Sequence, residues 1–459
     1  MQPVLTAGEM RAADAAALVT VSHETLVDRA GTAAGHAALR LLGGGYGRRV
    51  LVVVGKGSNG ADGRVAAAFL ARRGARVTLF DAAAAPAALP RCDLVIDAAY
   101  GTGFHGAYDA PTVPPGVSVL SVDIASGVDA DTGAAPGTPF CATETVTFAA
   151  YKPGLLQGAG TGCSGDVHVV DIGVALPPSG AALIEDADVA AHVPPRPRQS
   201  HKWSTALGIA SGSVGMEGSA ILCTRGAMAA GAGMIRLGNP GNPSAAWPTE
   251  AVRVHLDGPR WAEDFLAAAE KCRAMVIGPG LGTDDTTQEE IRTVIARAPH
   301  PLVIDADAIT ALGDANAARA LLAGRDEATV LTPHDGEFAR VAGAPPGDDR
   351  LAAARDLAQR IGAVVLLKGP LTAVAAPEGM PDVLLASAGV PALATAGTGD
   401  VLSGVIGAFL ARGVPVHLAA ALGAHVHGRA AARGRPEGLV AGDLPGLIAA
   451  WLSEDGHHG

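Results

Sequence analysis

Aromatic side chains are scarce: Phe, Tyr and Trp make up 3% of the 459 residues, too few for a surface that stacks bases or sugar rings. Cysteine is sparse as well. The five (Cys92, Cys141, Cys163, Cys223, Cys272) are odd in number and lack metal-ligand spacing, which argues against a disulfide framework and a zinc site. They read as reduced, mostly buried residues. Positive charge is in deficit, with 34 Lys and Arg against 45 Asp and Glu and a net charge of −11. That balance argues against nucleic acid and against anionic membrane surfaces. No long apolar run is present either. The best stretch, Val383 to Gly399, is interrupted by Pro391 and rich in small residues, so no transmembrane helix is expected. Near the start, Glu9, Arg11 and Asp14 leave no apolar core for a signal peptide, and a cytoplasmic location is the expectation.

What remains is a chain with 49% hydrophobic residues, 17% charged residues and 61 glycines. This composition fits a globular enzyme with close backbone packing and many tight turns. The length exceeds what one core supports, so two or three domains are expected.

The stretch Ala394 to Gly413 organises the reading. Ala396, Gly397, Thr398 and Gly399 run into Asp400, followed by an apolar helical pattern at Val401, Leu402, Val405, Ile406, Phe409 and Leu410. A glycine turn opening a helix presents backbone N–H groups and a positive dipole end to an anion. Asp400 is poorly placed to cap that helix and well placed to take a proton from a hydroxyl beside a phosphate. The alternative is an ordinary N-cap aspartate on a tightly packed helix.

In the first half, Met10 to Leu42 has a helical pattern. A strand (50–54) then leads into GKGSNGADG (Gly55 to Gly63), a helix, a second strand (75–80) and Asp81. Gly55, Gly57, Gly60 and Asp81 satisfy the dinucleotide fingerprint, so a plain Rossmann dehydrogenase is the first rival. Two later strands count against it. One (93–96) ends at Asp97 before Gly101 and Gly103; the other (118–122) ends at Asp123 before Ser126. In a parallel sheet Asn59, Asp62, Asp97, Asp123 and Ser126 converge at one crevice. So many oxygens beside glycine loops suit a hard cation next to a phosphorylated ligand, with a carboxylate for acid–base work. Asp129 and Asp131 read as turn caps.

GKGSNGADG, VIDAAYGTG, SVDIASGVDADTG and TVTF-x-x-x-K-P-G-L (Thr145 to Leu155) together resemble the NAD(P)H-hydrate epimerase domain over roughly Ala7 to Gly173. The resemblance implies a Rossmann-like three-layer αβα fold and a potassium ion held by Asn59, Asp97 and Ser126. It implies hydrate binding by Ser58, Asn59, Gly60, Ala61 and Asp62, by the loop Gly101, Thr102, Gly103, Phe104, His105, Gly106 and Ala107, and by Asp123, which is also the implied catalytic residue. Ser58, Ala61 and Ala125 depart from the usual NNGGDG and DIPSG patterns.

Residues 173–200 carry five prolines and read as an extended connector. The expected domains are 1–195 and 196–459. In the second, glycines precede a small-residue helix from Ser219. Strands at 275–277, 302–304, 329–331 and 364–367 end in GPGLG, DAD, TPHDGEF and KGPLT. A layered α/β domain with its site at the strand ends follows from that recurrence. His334 and Glu337 read as capping residues, and His425 and His427 as residues that pack or that support the site from behind. Lys368 is costly at a strand end unless it meets an anion, and phosphate is the expectation.

His201-Lys202, GPGLG, DADA, LTPHDGEF, LLKGPLT and GTGDVLSG resemble the ADP-dependent NAD(P)H-hydrate dehydratase domain of the ribokinase-like superfamily, over about His201 to Trp451. The resemblance implies a ribokinase-like αβα fold. It implies nucleotide contacts from Lys368, Gly369, Pro370, Leu371, Thr372 and Gly399, and a hydrate site lined by Ser219, Gly282, His334 and Asp400, with Asp400 catalytic. ADP and Mg²⁺ are the implied cofactors. Trp203 and Ala396 depart from the common HKG and TGGTGD.

The joined halves thus resemble bifunctional NAD(P)H-hydrate repair enzymes. Those epimerise the R and S forms of hydrated NADH and NADPH and dehydrate the S form with ADP, leaving AMP and phosphate. A homo-oligomer acting on small molecules, with neither nucleic acid nor membrane as partner, is expected. The alternative is a ribokinase-like small-molecule kinase fused to a non-catalytic dinucleotide-binding module.

Overall fold

The computed structural model describes residues 1–241, 247–256, 258–379 and 381–454. The chain from Gln2 separates into two compact units that divide between Gly180 and Ala181. That divide lies before the boundary expected at 195/196. The stretch read as an extended connector holds a strand, Ala181–Leu183, and a helix, Asp186–His192. The strand's three residues are buried and pair in parallel with Val383–Ala386 of the second unit's sheet. Prolines at 177, 178, 194, 195 and 197 flank this stretch, and the apolar run Ala181 to Ile184 between them supplies the strand.

In the first unit a parallel sheet runs in the order Arg76–Asp81, Arg49–Val54, Leu94–Ala98, Ser118–Val122, Glu144–Phe148, Asp166–Val170. Apart from the exposed Arg49 and the buried Asp97, the central strands are apolar and buried on both faces, as strands covered on each side by other layers must be. Arg49–Val54 pairs with its successor on one edge and with Leu94–Ala98 on the other. The winding direction reverses there, and that is where an open α/β sheet leaves a crevice for a ligand. The single helix expected from Met10 to Leu42 is two, Ala7–Ala17 and His23–Leu42. Ser22 starts the second by accepting from the Thr25 amide. The second packs on Ser58–Ala71 through Gly31 and Gly35. A Cβ at either would come within 2.5 Å of Val65 or Phe69.

The second unit is built on one sheet, in the order Ala181–Leu183, Val383–Ala386, Thr372–Ala375, Val364–Leu367, Thr329–Leu331, Leu302–Ile304, Ala274–Ile277, Ala206–Ala210, Met234–Gly238, Val252–Val254. Thr372–Ala375 runs antiparallel to both neighbours, and the other pairings are parallel. The helices Glu217–Ala229, Thr398–Ala411 and Val416–Ala432 contribute to its core. Thr398–Ala411 lies almost against Glu217–Ala229. A Cβ on Gly404 would stand 2.0 Å from the Cys223 carbonyl oxygen, and one on Gly226 would stand 2.4 Å from that of Val401. The small-residue composition is what allows the contact. It brings Ser219 and Asp400, each near the start of its helix, to the same end of the sheet.

Candidate active sites

The crevice of the first unit is a cavity of about 810 Å³, within the range of small-molecule sites. Among its lining residues are Ser58, Asn59, Asp62, Gly101 to His105, Asp123 and Lys152. Of the expected binding residues, Gly60, Ala61, Gly106 and Ala107 are not among them. Gly60 is packed tightly: its Cβ would lie 2.0 Å from the Gly55 carbonyl oxygen. Gly101 stands between two site residues, since a Cβ there would be 3.3 Å from the Asn59 Cβ and 3.5 Å from Asp123 Oδ2.

Asp123 sits at φ 69°, in the left-handed region that a non-glycine residue rarely takes. Its Oδ1 accepts from Lys152 Nζ at 2.6 Å and from Thr147 Oγ1 at 3.2 Å. The Lys152 ammonium is buried and also donates to Thr147 Oγ1 and to the Phe148 carbonyl. The sequence motif that holds Lys152 gives it no role by itself. Its partner is 29 positions away, and nothing local in the sequence announces it. Asp62 faces the same cavity, and burial, then the charges of Asp123 and Asp14, push its carboxyl up to about 8.

Asp97 is fully buried beneath the site. Its oxygens accept from the Ser126 amide and hydroxyl at 2.8 and 2.5 Å, and from the Ser121 hydroxyl at 3.0 Å. Burial raises its carboxyl to about 6 against the pull of those donors. Asn59 donates to the Tyr100 carbonyl at 2.9 Å, which also accepts from Ser126 Oγ at 3.1 Å. Asn59 Oδ1 is buried with no hydrogen-bond partner. An unsatisfied carboxamide oxygen, one carboxylate, a hydroxyl and a carbonyl form an all-oxygen set suited to a hard cation of low charge. Asp129 and Asp131 are turn and cap acceptors, as their positions suggested.

In the second unit, Asp400 occupies the first turn of Thr398–Ala411, while Gly397 at φ 87° is the cap. The N-cap reading of Asp400 is therefore replaced by that of an aspartate at the mouth of the site. Burial, followed by the charge of Asp305, raises its carboxyl to about 6, and the Ser219 hydroxyl opposes the rise. Ser219 packs on the GPGLG turn, 3.0 Å from where a Gly280 Cβ would be, and the Gly282 amide donates to Asp307 Oδ2 at 2.8 Å. Ser219, Gly282 and Asp400 are thus linked through adjacent loops. His334 is a capping residue: its Nδ1 accepts from the amides of Gly336 and Glu337 at 3.0 and 3.3 Å. Its ring stays largely exposed, with Nε2 3.5 Å from Glu337 Oε1.

Lys368 pairs with a buried carboxylate. Its Nζ donates to Asp305 Oδ1 at 2.8 Å. Asp305 is fully buried and also accepts from Thr332 Oγ1 at 2.8 Å and Ser403 Oγ at 2.7 Å. Burial raises the Asp305 carboxyl, but Lys368 and the two hydroxyls outweigh it and leave it below the ordinary carboxylate value. The ammonium remains at the helix mouth, 3.4 Å from where a Gly399 Cβ would be. Arg350 joins the site without any local sequence signal. It donates to the Lys368 carbonyl at 2.7 Å and lies over Gly369, with Nε buried and unpartnered. No helix among the described residues is long and apolar enough to cross a membrane.

Two α/β units, each with an acidic site at its strand ends, define a bifunctional enzyme class, and comparison with known proteins identifies it. The family described as NAD(P)H-hydrate dehydratase matches residues 207–452, and the YjeF-related protein N-terminus matches 23–91 and 80–154. The bifunctional NAD(P)H-hydrate repair enzyme Nnr of Mycobacterium tuberculosis is 41% identical over 448 residues, covering 90% of each chain. Its counterpart from Escherichia coli is 34% identical over 460 residues, covering 90% of this chain and 87% of that one. The Bacillus subtilis ADP/ATP-dependent NAD(P)H-hydrate dehydratase co-crystallised with ATP/Mg²⁺ aligns with a TM-score of 0.50 at 28% identity, over 59% of this chain and 97% of that one. A ribokinase-like superfamily protein from Enterococcus faecalis aligns with a TM-score of 0.52 at 22% identity, over 62% of this chain and 99% of that one, and shares the fold. The chain belongs to the bifunctional NAD(P)H-hydrate repair enzyme family.

Proposed function

We propose that the chain repairs NADH and NADPH hydrated at the nicotinamide ring, interconverting the R and S hydrates in its first unit and dehydrating the S hydrate in its second. The observation that carries this reading is the pair of strand-end acidic sites, Asp123 over Lys152 and Asp400 beside Lys368, in a chain of this family.

In the first site, the ring hydroxyl takes up a proton and leaves as water, and Asp123 is the group that accepts a proton from the water that re-adds and returns it for the next departure. The ring nitrogen lone pair drives the expulsion. Lys152 fixes the carboxylate from below and leaves Oδ2 toward the cavity. Asp62 holds a proton at neutral pH and can donate to the departing hydroxyl. Asn59, Asp97 and Ser126 are the residues that fit a potassium ion, which would supply positive charge for the hydrate's phosphates.

In the second site, Asp400 takes the proton from the S hydrate's hydroxyl, which attacks the terminal phosphoryl of ADP. AMP leaves, and departure of phosphate from the ring, with loss of a proton from the neighbouring ring carbon, restores the double bond of the reduced cofactor. Lys368, Gly399 and Arg350 border the loop Gly369 to Thr372, where the nucleotide's phosphates would lie. Mg²⁺ would be held chiefly by those phosphates and would offset charge on the transferred group. Incubating the purified chain with separated hydrate epimers, with and without ADP, tests the proposal through recovery of dihydronicotinamide absorbance. A stable phosphorylated product in place of free phosphate would indicate the kinase alternative.

A further inference from the structure

Cys141 and Cys163 bring their Sγ atoms within 3.4 Å of each other. Cys141 lies in the stretch leading into strand Glu144–Phe148, and Cys163 in the helix Gly158–Ser164. The backbones beside them are pinned together. The Ala142 amide donates to the Cys163 carbonyl at 2.9 Å, and Thr145 Oγ1 donates to the Ser164 carbonyl at 2.6 Å. Gly165, at φ 58°, turns the chain so tightly that its Cβ would meet the Thr143 oxygen at 2.4 Å. A disulfide needs about 2.05 Å between sulfurs, so closure takes roughly 1.4 Å of side-chain movement across a fixed seam.

The two thiols differ in access. Cys141 is exposed, whereas Cys163 is buried, as are Cys92, Cys223 and Cys272. Burial, then the contact with Cys141, pushes the Cys163 thiol up to about 12. Only one of the five sulfurs is thus open to an oxidant in solution, and a second sulfur is already in contact with it.

We propose that Cys141 and Cys163 are a modification site at which a hydroperoxide produces a reversible intrachain disulfide. Cys141, as its thiolate, attacks one peroxide oxygen. An S–O bond forms, the O–O bond breaks, and the other oxygen leaves as water or alcohol after taking up a proton. The Cys163 sulfur then displaces hydroxide from the Cys141 sulfenic acid. The S–S bond forms as the S–O bond breaks, and the Cys163 proton leaves with the hydroxide as water. The two thiols lose two electrons and the peroxide gains them. A dithiol reverses the bond by exchange.

Prompt resolution keeps Cys141 from climbing to the irreversible sulfinic acid. The cross-link also braces the wall of the first unit's cavity. Cys141 follows Phe140, whose ring centroid is 6.3 Å from that of Tyr108, and Tyr108 packs on Tyr100 and Phe104 of the cavity lining. The site itself does not depend on what the cavity binds.

The test is to treat the full native chain with hydrogen peroxide, alkylate the remaining thiols and map the digest by mass spectrometry. The expected result is a linked Cys141–Cys163 peptide, two fewer free thiols, and a raised thermal midpoint that dithiothreitol restores to its starting value. Cys141→Ser removes the link, and Cys163→Ala leaves a Cys141 sulfenic acid that dimedone traps. Should Cys163→Ala fail to fold, the wild-type digest decides. A Cys141 that dimedone labels in the wild type while Cys163 still alkylates would overturn the proposal. So would a Cys141 linked only to a second copy of the chain.

Discussion

Lys152 Nζ stands 2.6 Å from Asp123 Oδ1, a buried ammonium under the carboxylate that faces the cavity. Removing one partner of such a pair strands the other charge and costs about 3 kcal/mol or more. Lys152→Met is therefore expected to lower the first unit's stability and to reduce epimerisation by roughly 100-fold or more, the usual span for a disturbed acid–base group. Turnover of pure S hydrate with ADP should be unchanged. The two rates, measured on separated epimers, check this.

Asp62 gives a pH test with a definite sign. Its carboxyl is raised to about 8 in the folded chain, so between its unfolded value and about 8 the native state binds more protons than the unfolded one. Stability from this group therefore falls as pH rises through that window. Asp62→Asn removes the penalty. It should raise the unfolding free energy by on the order of 1–3 kcal/mol at pH 8, with the gain vanishing near pH 4. Epimerisation should fall in the same variant. Denaturant melts at the two pH values measure the difference.

Asp305 holds Lys368 by a 2.8 Å ion pair rather than by touching the proposed ligands. Asp305→Asn keeps the shape and loses the charge that fixes the ammonium. The expected outcome is a KM for ADP raised about tenfold or more, with epimerisation untouched. Initial rates over a range of ADP concentrations test it. An unchanged KM would show that Lys368 is positioned by something else.

Asp400 must be ionised to accept a proton, and its carboxyl is raised to about 6. The ADP-dependent rate should fall below about pH 6 and level off above it. A profile of kcat/KM from pH 5 to 8 on the S hydrate reads that midpoint directly.

Much of this was legible in the sequence where one short run carried both periodicity and terminator. The strands Leu302–Ile304, Thr329–Leu331 and Val364–Leu367 fall where apolar runs stop at Asp305, Thr332 and Lys368. Asp97 and Asp123 were readable for the same reason. What escaped depends on distance in the chain. Lys152 and Asp123 pair across 29 positions, and Lys368 and Asp305 across 63. The strand Ala181–Leu183 was hidden because flanking prolines outweighed three apolar residues whose pairing partner lies some two hundred positions on. The break at Leu18 to Ser22 was missed because helical spacing continues through it, although Ser22 is a capping residue in plain view.

The central claim is that one chain carries two independent sites, and Asp400→Asn tests it most directly. The variant is assayed on separated R and S hydrates, with and without ADP, following both epimer exchange and dihydronicotinamide absorbance. The account predicts that ADP-dependent recovery of the reduced cofactor is abolished while R and S continue to interconvert at the wild-type rate. Loss of epimer exchange along with dehydration, or dehydration that survives the substitution, would contradict it.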